Sequence, residues 1–379
     1  MPPCYDESRT RCRPATWGGG GRSLEREGPG GRVEHPRIVA VGTAVPPRCV
    51  DQATVVEWFG YADPLRRSFF TNSGIAGRHL YLQVDEPRPE TVDELGARFR
   101  EGSVTLGVES VRSCLARADL DVGGIDFLAT TTCTGRLCPS LDAHLIKELG
   151  FRPDVQRVHV GDTGCASAMV ALQQAWNHVV AFPTHRALVV AVEVCSATYY
   201  LDDEAETAVA NAIFADGAGT LLLTGDRGGK PAGDPGPQVV EHRTLIRSEY
   251  LDRMGFTFPE GRHRVLLSPE VRRIAPAMMG ELAGTLLKDH GLARTDIRHW
   301  VLHSAGRRVI EHAQTLLELT DDDVVFSRQV LQRYGNMSSA TVLFVLDALL
   351  RSGRPRPGDW GLMVALGPGF AAEGALLRW

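Results

Sequence analysis

Twice in this chain a helical stretch hands over, through a short polar turn, to a run that reads as a buried strand. The first instance leads from residues 101–116 into Ile125-Asp126-Phe127-Leu128-Ala129-Thr130. The second leads from residues 271–289 into Ile297-Arg298-His299-Trp300-Val301-Leu302. Apolar residues recur at helical spacing in both helices. Pro276 is expected to kink or delay the second, because its ring crowds the preceding turn and it has no amide donor. Between the two instances, residues 226–237 (DRGGKPAGDPGP) are dominated by Gly and Pro and mark a break. Each part then ends on an apolar, glycine-containing strand, at 217–225 and 361–367. Strands alternating with long helices imply an α/β fold of largely parallel sheets, covered by helices on both faces. The echo implies duplication, with an N-terminal half over 36–230 and a C-terminal half over 231–379. Residues 1–35 stand apart. They are polar, with Gly18-Gly19-Gly20-Gly21 and Gly28-Pro29-Gly30-Gly31, and read as a disordered extension.

Composition narrows the function. Of 379 residues, 43% are hydrophobic and 23% charged, enough apolar material for a large core. A net charge of -5 leaves no basic stripe for nucleic acid. No apolar run approaches the ~18 residues of a spanning helix; residues 340–350 come nearest and are interrupted by Asp347. The N-terminus has no signal-peptide core, so a cytoplasmic protein is expected. In that compartment the eight cysteines are expected as thiols. Cys133 and Cys138 are too far apart for the usual zinc clasp and have no second pair, so no metal is expected.

Three strand-to-helix turns carry chemistry. Cys165 lies in Gly161-Asp162-Thr163-Gly164-Cys165-Ala166-Ser167-Ala168, after a strand with Val158 and Val160 and before a helix over 166–181. Unpaired amides and the helix dipole favour an anion there, and a thiol so placed is expected to ionise near neutral pH. A buried structural cysteine is the plain alternative. His303 ends the Trp300-Val301-Leu302 strand, where imidazole can donate to a carbonyl oxygen or exchange protons; a satisfied structural histidine is the alternative. Asn336, in Gly335-Asn336-Met337-Ser338-Ser339-Ala340, opens an apolar helix over 341–350. It can cap that helix, or its amide can donate to a developing oxyanion.

Cys165 in GDTGCAS, His303 in LHSAGRR and Asn336 in YGNMSSATVLFVLD, in that order, resemble the type III polyketide synthases, the chalcone synthase-like branch of the thiolase-fold condensing enzymes. Supporting matches are Val41-Gly42-Thr43-Ala44-Val45-Pro46-Pro47, Phe214-Ala215-Asp216-Gly217-Ala218 and Leu366-Gly367-Pro368-Gly369-Phe370. The resemblance spans about residues 36–379. It implies a duplicated thiolase-type α-β-α-β-α layered fold, a homodimer, and no metal or tightly bound cofactor. It also implies a reaction. Cys165 takes an acyl group from a CoA thioester; His303 and Asn336 hydrogen-bond the thioester oxygen of malonyl-CoA; decarboxylation yields an enolate that extends the chain iteratively.

Departures from the plant pattern matter too. Phe214 matches the first of two aromatic gatekeepers, but Val265 stands where the second is expected, which should open the cavity. Thr134 and Cys138 match cavity-lining positions, the latter the one that reaches toward the partner subunit. Arg66 and Arg67 lie near the plant CoA-binding cluster without reproducing it. Stretches such as Arg67-Ser68-Phe69-Phe70-Thr71-Asn72-Ser73 and Val194-Cys195-Ser196-Ala197 are similar to the dihydroxyphenylacetyl-CoA synthases, which use malonyl-CoA as both starter and extender. Alkylresorcinol and alkylpyrone synthases share some of these stretches. Two rival readings remain: a ketoacyl-ACP synthase III of fatty-acid initiation, and a catalytically idle thiolase-fold scaffold. Met337, the Ser338-Ser339 pair and the His303 context fit the polyketide branch better than the first. Three intact polar residues at three helix starts speak against the second, since a buried polar group without a partner is costly.

Overall fold

The computed structural model describes residues 35–82, 89–225 and 236–379. The expected extension over 1–35, apart from His35, and most of the expected break at 226–237 lie outside the described residues.

From Arg37 the chain enters strand β1 (Arg37–Ala44), then the short β2 (Cys49–Asp51), helices α1 (Gln52–Phe59) and α2 (Pro64–Thr71), and β3 (Gly77–His79). The long α3 (Val92–Ala118) starts on a capping box: the Thr91 hydroxyl accepts from Glu94 N–H, and the Glu94 carboxylate accepts from Thr91 N–H. Next come β4 (Phe127–Thr132), α4 (Leu141–Leu149), β5 (Gln156–Gly161), α5 (Ser167–Ala181), β6 (Arg186–Val194), α6 (Ala205–Ile213) and β7 (Asp216–Thr224). The second part runs through β8 (Gln238–Ile246), a small hairpin of β9 (Met254–Thr257) and β10 (Arg264–Leu267), and α7 (Val271–Asp289). It closes with β11 (Ile297–Leu302), α8 (Arg307–Leu316), α9 (Val325–Tyr334), α10 (Thr341–Arg351), β12 (Trp360–Gly367) and β13 (Ala371–Arg378).

Nine strands form one sheet in the order β11-β12-β13-β8-β1-β7-β6-β4-β5. Its two flanks repeat each other. β4 and β6 are parallel, as are β11 and β12; β6–β7 and β7–β1 are antiparallel, as are β12–β13 and β13–β8. A single register pair, Arg37 with Gln238, joins the flanks. On β6, Leu188, Val190 and Val192 face α3, while Ala187, Val189 and Ala191 face a central layer containing α5 and α10. On β12, Leu362, Val364 and Leu366 face α7, while Met363 and Ala365 face the same central layer. The result is the duplicated α-β-α-β-α arrangement, with both faces of each half-sheet buried.

Two expectations are corrected. The sheet is mixed rather than largely parallel. Only three residues separate β12 from β13, and a parallel return needs a crossover of a dozen or more. The strand at 361–367 is therefore the counterpart of β6, and the second half ends one strand later, on β13. Pro276 lies inside α7 without ending it. The carbonyl of Arg272, four residues earlier and deprived of its helical donor, accepts instead from His312 Nδ1 at 3.1 Å.

Candidate active site

Cys165 lies in a 3₁₀ turn (Gly164–Ala166) between β5 and α5. Gly164 has φ of +56°, and a Cβ there would lie 2.2 Å from Pro368 Cδ, so only glycine fits. The Leu366–Phe370 segment thus presses on the nucleophile turn.

Asn336 follows Gly335 at the end of α9. Its Oδ1 accepts from Ser338 N–H at 2.9 Å and from the Thr341 hydroxyl at 3.4 Å. That fixes the amide with its NH₂ turned the other way; one hydrogen goes to the Ala305 carbonyl at 3.1 Å and the second is spare. His303 is reached through the same residue, since Ala305 N–H donates to the His303 carbonyl at 2.9 Å. Ser338 closes the link to the nucleophile, donating to Cys165 Sγ at 3.3 Å. It holds φ of +47°, a strained value for a residue with a side chain.

Charge at the site is set by burial. His303 is 1% exposed, neither ring nitrogen has a hydrogen-bond partner among the described residues, and burial pushes its pKa down to about 4. Burial pushes the Cys165 thiol up to about 12, against the pull of the Ser338 hydrogen bond. Both shifts favour the uncharged forms, so desolvation opposes the ionisation expected at this helix start.

Cys165, Thr134, Phe214 and Val265 line one cavity of about 40 Å³, together with Cys133, Ser338 and the hairpin residues Met254 and Phe256. Phe256 is the register partner of Val265 across the β9–β10 hairpin, faces the same side and restores an aromatic. Cys138, at a cis peptide with Pro139, is exposed and does not line this chain's cavity. Arg66 is matched by Asp63 and Asp203; Arg67 is exposed, with one bond to the Tyr61 carbonyl.

Glu193, near the end of β6, is fully buried. Its carboxylate accepts from the hydroxyls of Thr134 (2.9 Å), Thr132 (3.3 Å) and Ser339, and from Cys133 N–H (3.1 Å). Burial raises its pKa. The available signal was a lone acid near the end of an otherwise apolar strand. Cys133 Sγ lies 3.2 Å from Ser338 Oγ and 3.4 Å from Glu193, so Ser338 touches both thiols.

Two half-sheets around a pair of central helices make this a condensing enzyme of the thiolase fold. Residues 67–232 match the family described as FAE1/Type III polyketide synthase-like protein, and 287–379 match the 3-oxoacyl-[acyl-carrier-protein] synthase III C terminal. The chain is 36% identical to the 3,5-dihydroxyphenylacetyl-CoA synthase of Streptomyces toyocaensis, over 91% of this chain and 90% of that one. It is 32% identical to the 1,3,6,8-tetrahydroxynaphthalene synthase of Streptomyces peucetius subsp. caesius, over 90% and 93%. In structure it is similar to PKS-I of the brown alga Ectocarpus siliculosus, with a TM-score of 0.84, 28% identity, and coverage of 92% of this chain and 99% of that one. The chain belongs to the type III polyketide synthases, acyltransferases that condense malonyl-CoA.

Proposed function

We propose that Cys165 carries the growing acyl chain, that His303 and Asn336 hold the thioester oxygen of malonyl-CoA, and that the enzyme primes itself with malonyl-CoA. In loading, the Cys165 proton passes to His303 as sulfur attacks the thioester carbonyl. The departing CoA thiolate recovers that proton from the imidazolium. A second malonyl-CoA then loses CO₂, and its enolate oxygen is held by the spare Asn336 hydrogen and by His303. The enolate carbon attacks the Cys165 thioester, and the released thiolate accepts the extended chain from CoA in turn. Each preformed donor to such an oxygen is typically worth about 3 kcal/mol of barrier.

One observation carries this reading. Cys165 and Asn336 are linked through a single residue, Ser338, whose hydroxyl meets the sulfur and whose N–H meets the amide oxygen. The two half-folds divide the work: the first supplies the sulfur, the second the imidazole and carboxamide. A dihydroxyphenylacetyl-CoA type of product is supported by two relatives named 3,5-dihydroxyphenylacetyl-CoA synthase, 36% and 35% identical to this chain. Phe214, Phe256, Thr134 and Val265 line one cavity with Cys165.

A homodimer fits the sheet, because β5 is an edge strand with one side unpaired and Val158 and Val160 only half-buried. Cys138 is then the residue that reaches the second copy. CoA thioesters as substrates suit a cytoplasmic enzyme, and no described helix is long and apolar enough to cross a membrane. The test is incubation with malonyl-CoA alone and then with added acyl-CoAs, with products read by mass. An aromatic product from malonyl-CoA alone is expected. Turnover only in the presence of a long acyl-CoA would replace this reading with resorcinol or pyrone synthesis.

A further inference from the structure

Arg78, in the middle of β3, is wholly sealed from solvent, yet no carboxylate lies within ion-pair distance among the described residues. Its Nη1 donates to the carbonyls of Asn211 and Phe214, each at 2.7 Å, and lies 3.3 Å from the Tyr199 hydroxyl. Nε and Nη2 have no hydrogen-bond partner among the described residues. A buried guanidinium so poorly compensated costs several kcal/mol, and its surroundings show what that cost secures.

Asn211, Ala212, Ile213 and Phe214 form the C-terminal end of α6, where carbonyls have no helical donor. All four are taken. Asn211 is held by Arg78 and Ala212 by Gln52 Nε2 at 2.7 Å. Ile213 is held by the backbone N–H of Asn336 at 2.9 Å, and Phe214 by Arg78 and by the Tyr199 hydroxyl at 2.8 Å. Ala215 N–H donates back to the Asn336 carbonyl at 2.9 Å, which completes a two-bond bridge between Phe214 and Asn336. The end of α6 is therefore the template on which Asn336 is laid, with Phe214 directly opposite. Arg78 also floors the turn before Asn336: Gly335 has φ of +73°, and a Cβ there would lie 3.0 Å from Arg78 Cγ and Cδ. Gln52 caps a neighbouring carbonyl with an uncharged amide, so capping alone does not call for a cation. What the guanidinium adds is one nitrogen shared by two carbonyls three residues apart.

We propose that Arg78 is a positioning residue, which clamps the α6 terminus so that the Asn336 amide and the Phe214 ring are set by one support. This rests on the reading of Asn336 as a donor to the thioester oxygen. Decarboxylation of malonyl-CoA and alkylation of Cys165 by iodoacetamide report separately on the two halves of the site. They are measured, with thermal midpoints, on full-length wild type, Arg78→Met, Arg78→Lys and Asn336→Ala.

The expected order for decarboxylation kcat is wild type above Arg78→Lys above Arg78→Met, with the last down roughly 10- to 100-fold, the scale of an ångström-sized misplacement. KM and the Cys165 alkylation rate should stay near wild type. A folded Arg78→Met with wild-type decarboxylation overturns the proposal, as does parallel loss of decarboxylation and alkylation. If Arg78→Met does not fold, Arg78→Lys decides: it keeps the charge but loses the fork, and wild-type kcat in it overturns the clamp. Wild-type decarboxylation in Asn336→Ala would instead sink the underlying assignment of Asn336.

Discussion

Near Cys165 stands Glu193, its carboxylate surrounded by donors from Thr132, Thr134, Ser339 and the Cys133 backbone. His303 is equally buried, and neither of its ring nitrogens has a hydrogen-bond partner among the described residues. Both are polar groups withheld from water. A buried polar group that is satisfied holds geometry, because every donor around it loses a partner if it goes. One left unsatisfied keeps hydrogen-bonding capacity that only an arriving substrate uses. The contrast separates the part of the site that supports from the part that reacts, without reference to which residues are more buried.

The largest expected effect falls on the unsatisfied group. His303→Ala should lower malonyl-CoA decarboxylation about 10²- to 10³-fold, with little change in the urea midpoint, since no protein hydrogen bond of the ring is lost. A variant that unfolds as readily as it loses activity would erase the contrast. Next comes Glu193→Ala, which strands several buried donors and should cost on the order of 3 kcal/mol or more in urea unfolding. Full stability in that variant would show the carboxylate to be no support at all. The smallest effect lies at the seam. Ser338→Ala removes the hydroxyl that touches both thiols and should slow iodoacetamide alkylation of Cys165 by roughly 3- to 10-fold, the worth of one hydrogen bond to the thiolate. An unchanged rate would mean that the contact does not assist ionisation.

Much of this was legible in the sequence. Cys165, His303 and Asn336 were singled out by their position after strands and before helices, and α7 and β11 run where periodicity put them. Strand direction was not legible. Periodicity reports which faces are buried, whereas direction follows from how far the chain travels between strands, and the short β12–β13 link settled that. Phe256 was missed because it meets Val265 only across a hairpin. The burial of Cys165 was not legible either: a turn motif shows which amides are near, but not how much water is removed.

Gly164 and Pro368 have a consequence for anyone exchanging pieces between relatives. The wall that braces the nucleophile turn is contributed by the loop between β12 and β13, and the two surfaces touch with no room for a methyl group. Grafting a foreign 366–370 segment to alter product range would also reset the sulfur it leans on, so the two segments are best transplanted as a matched set.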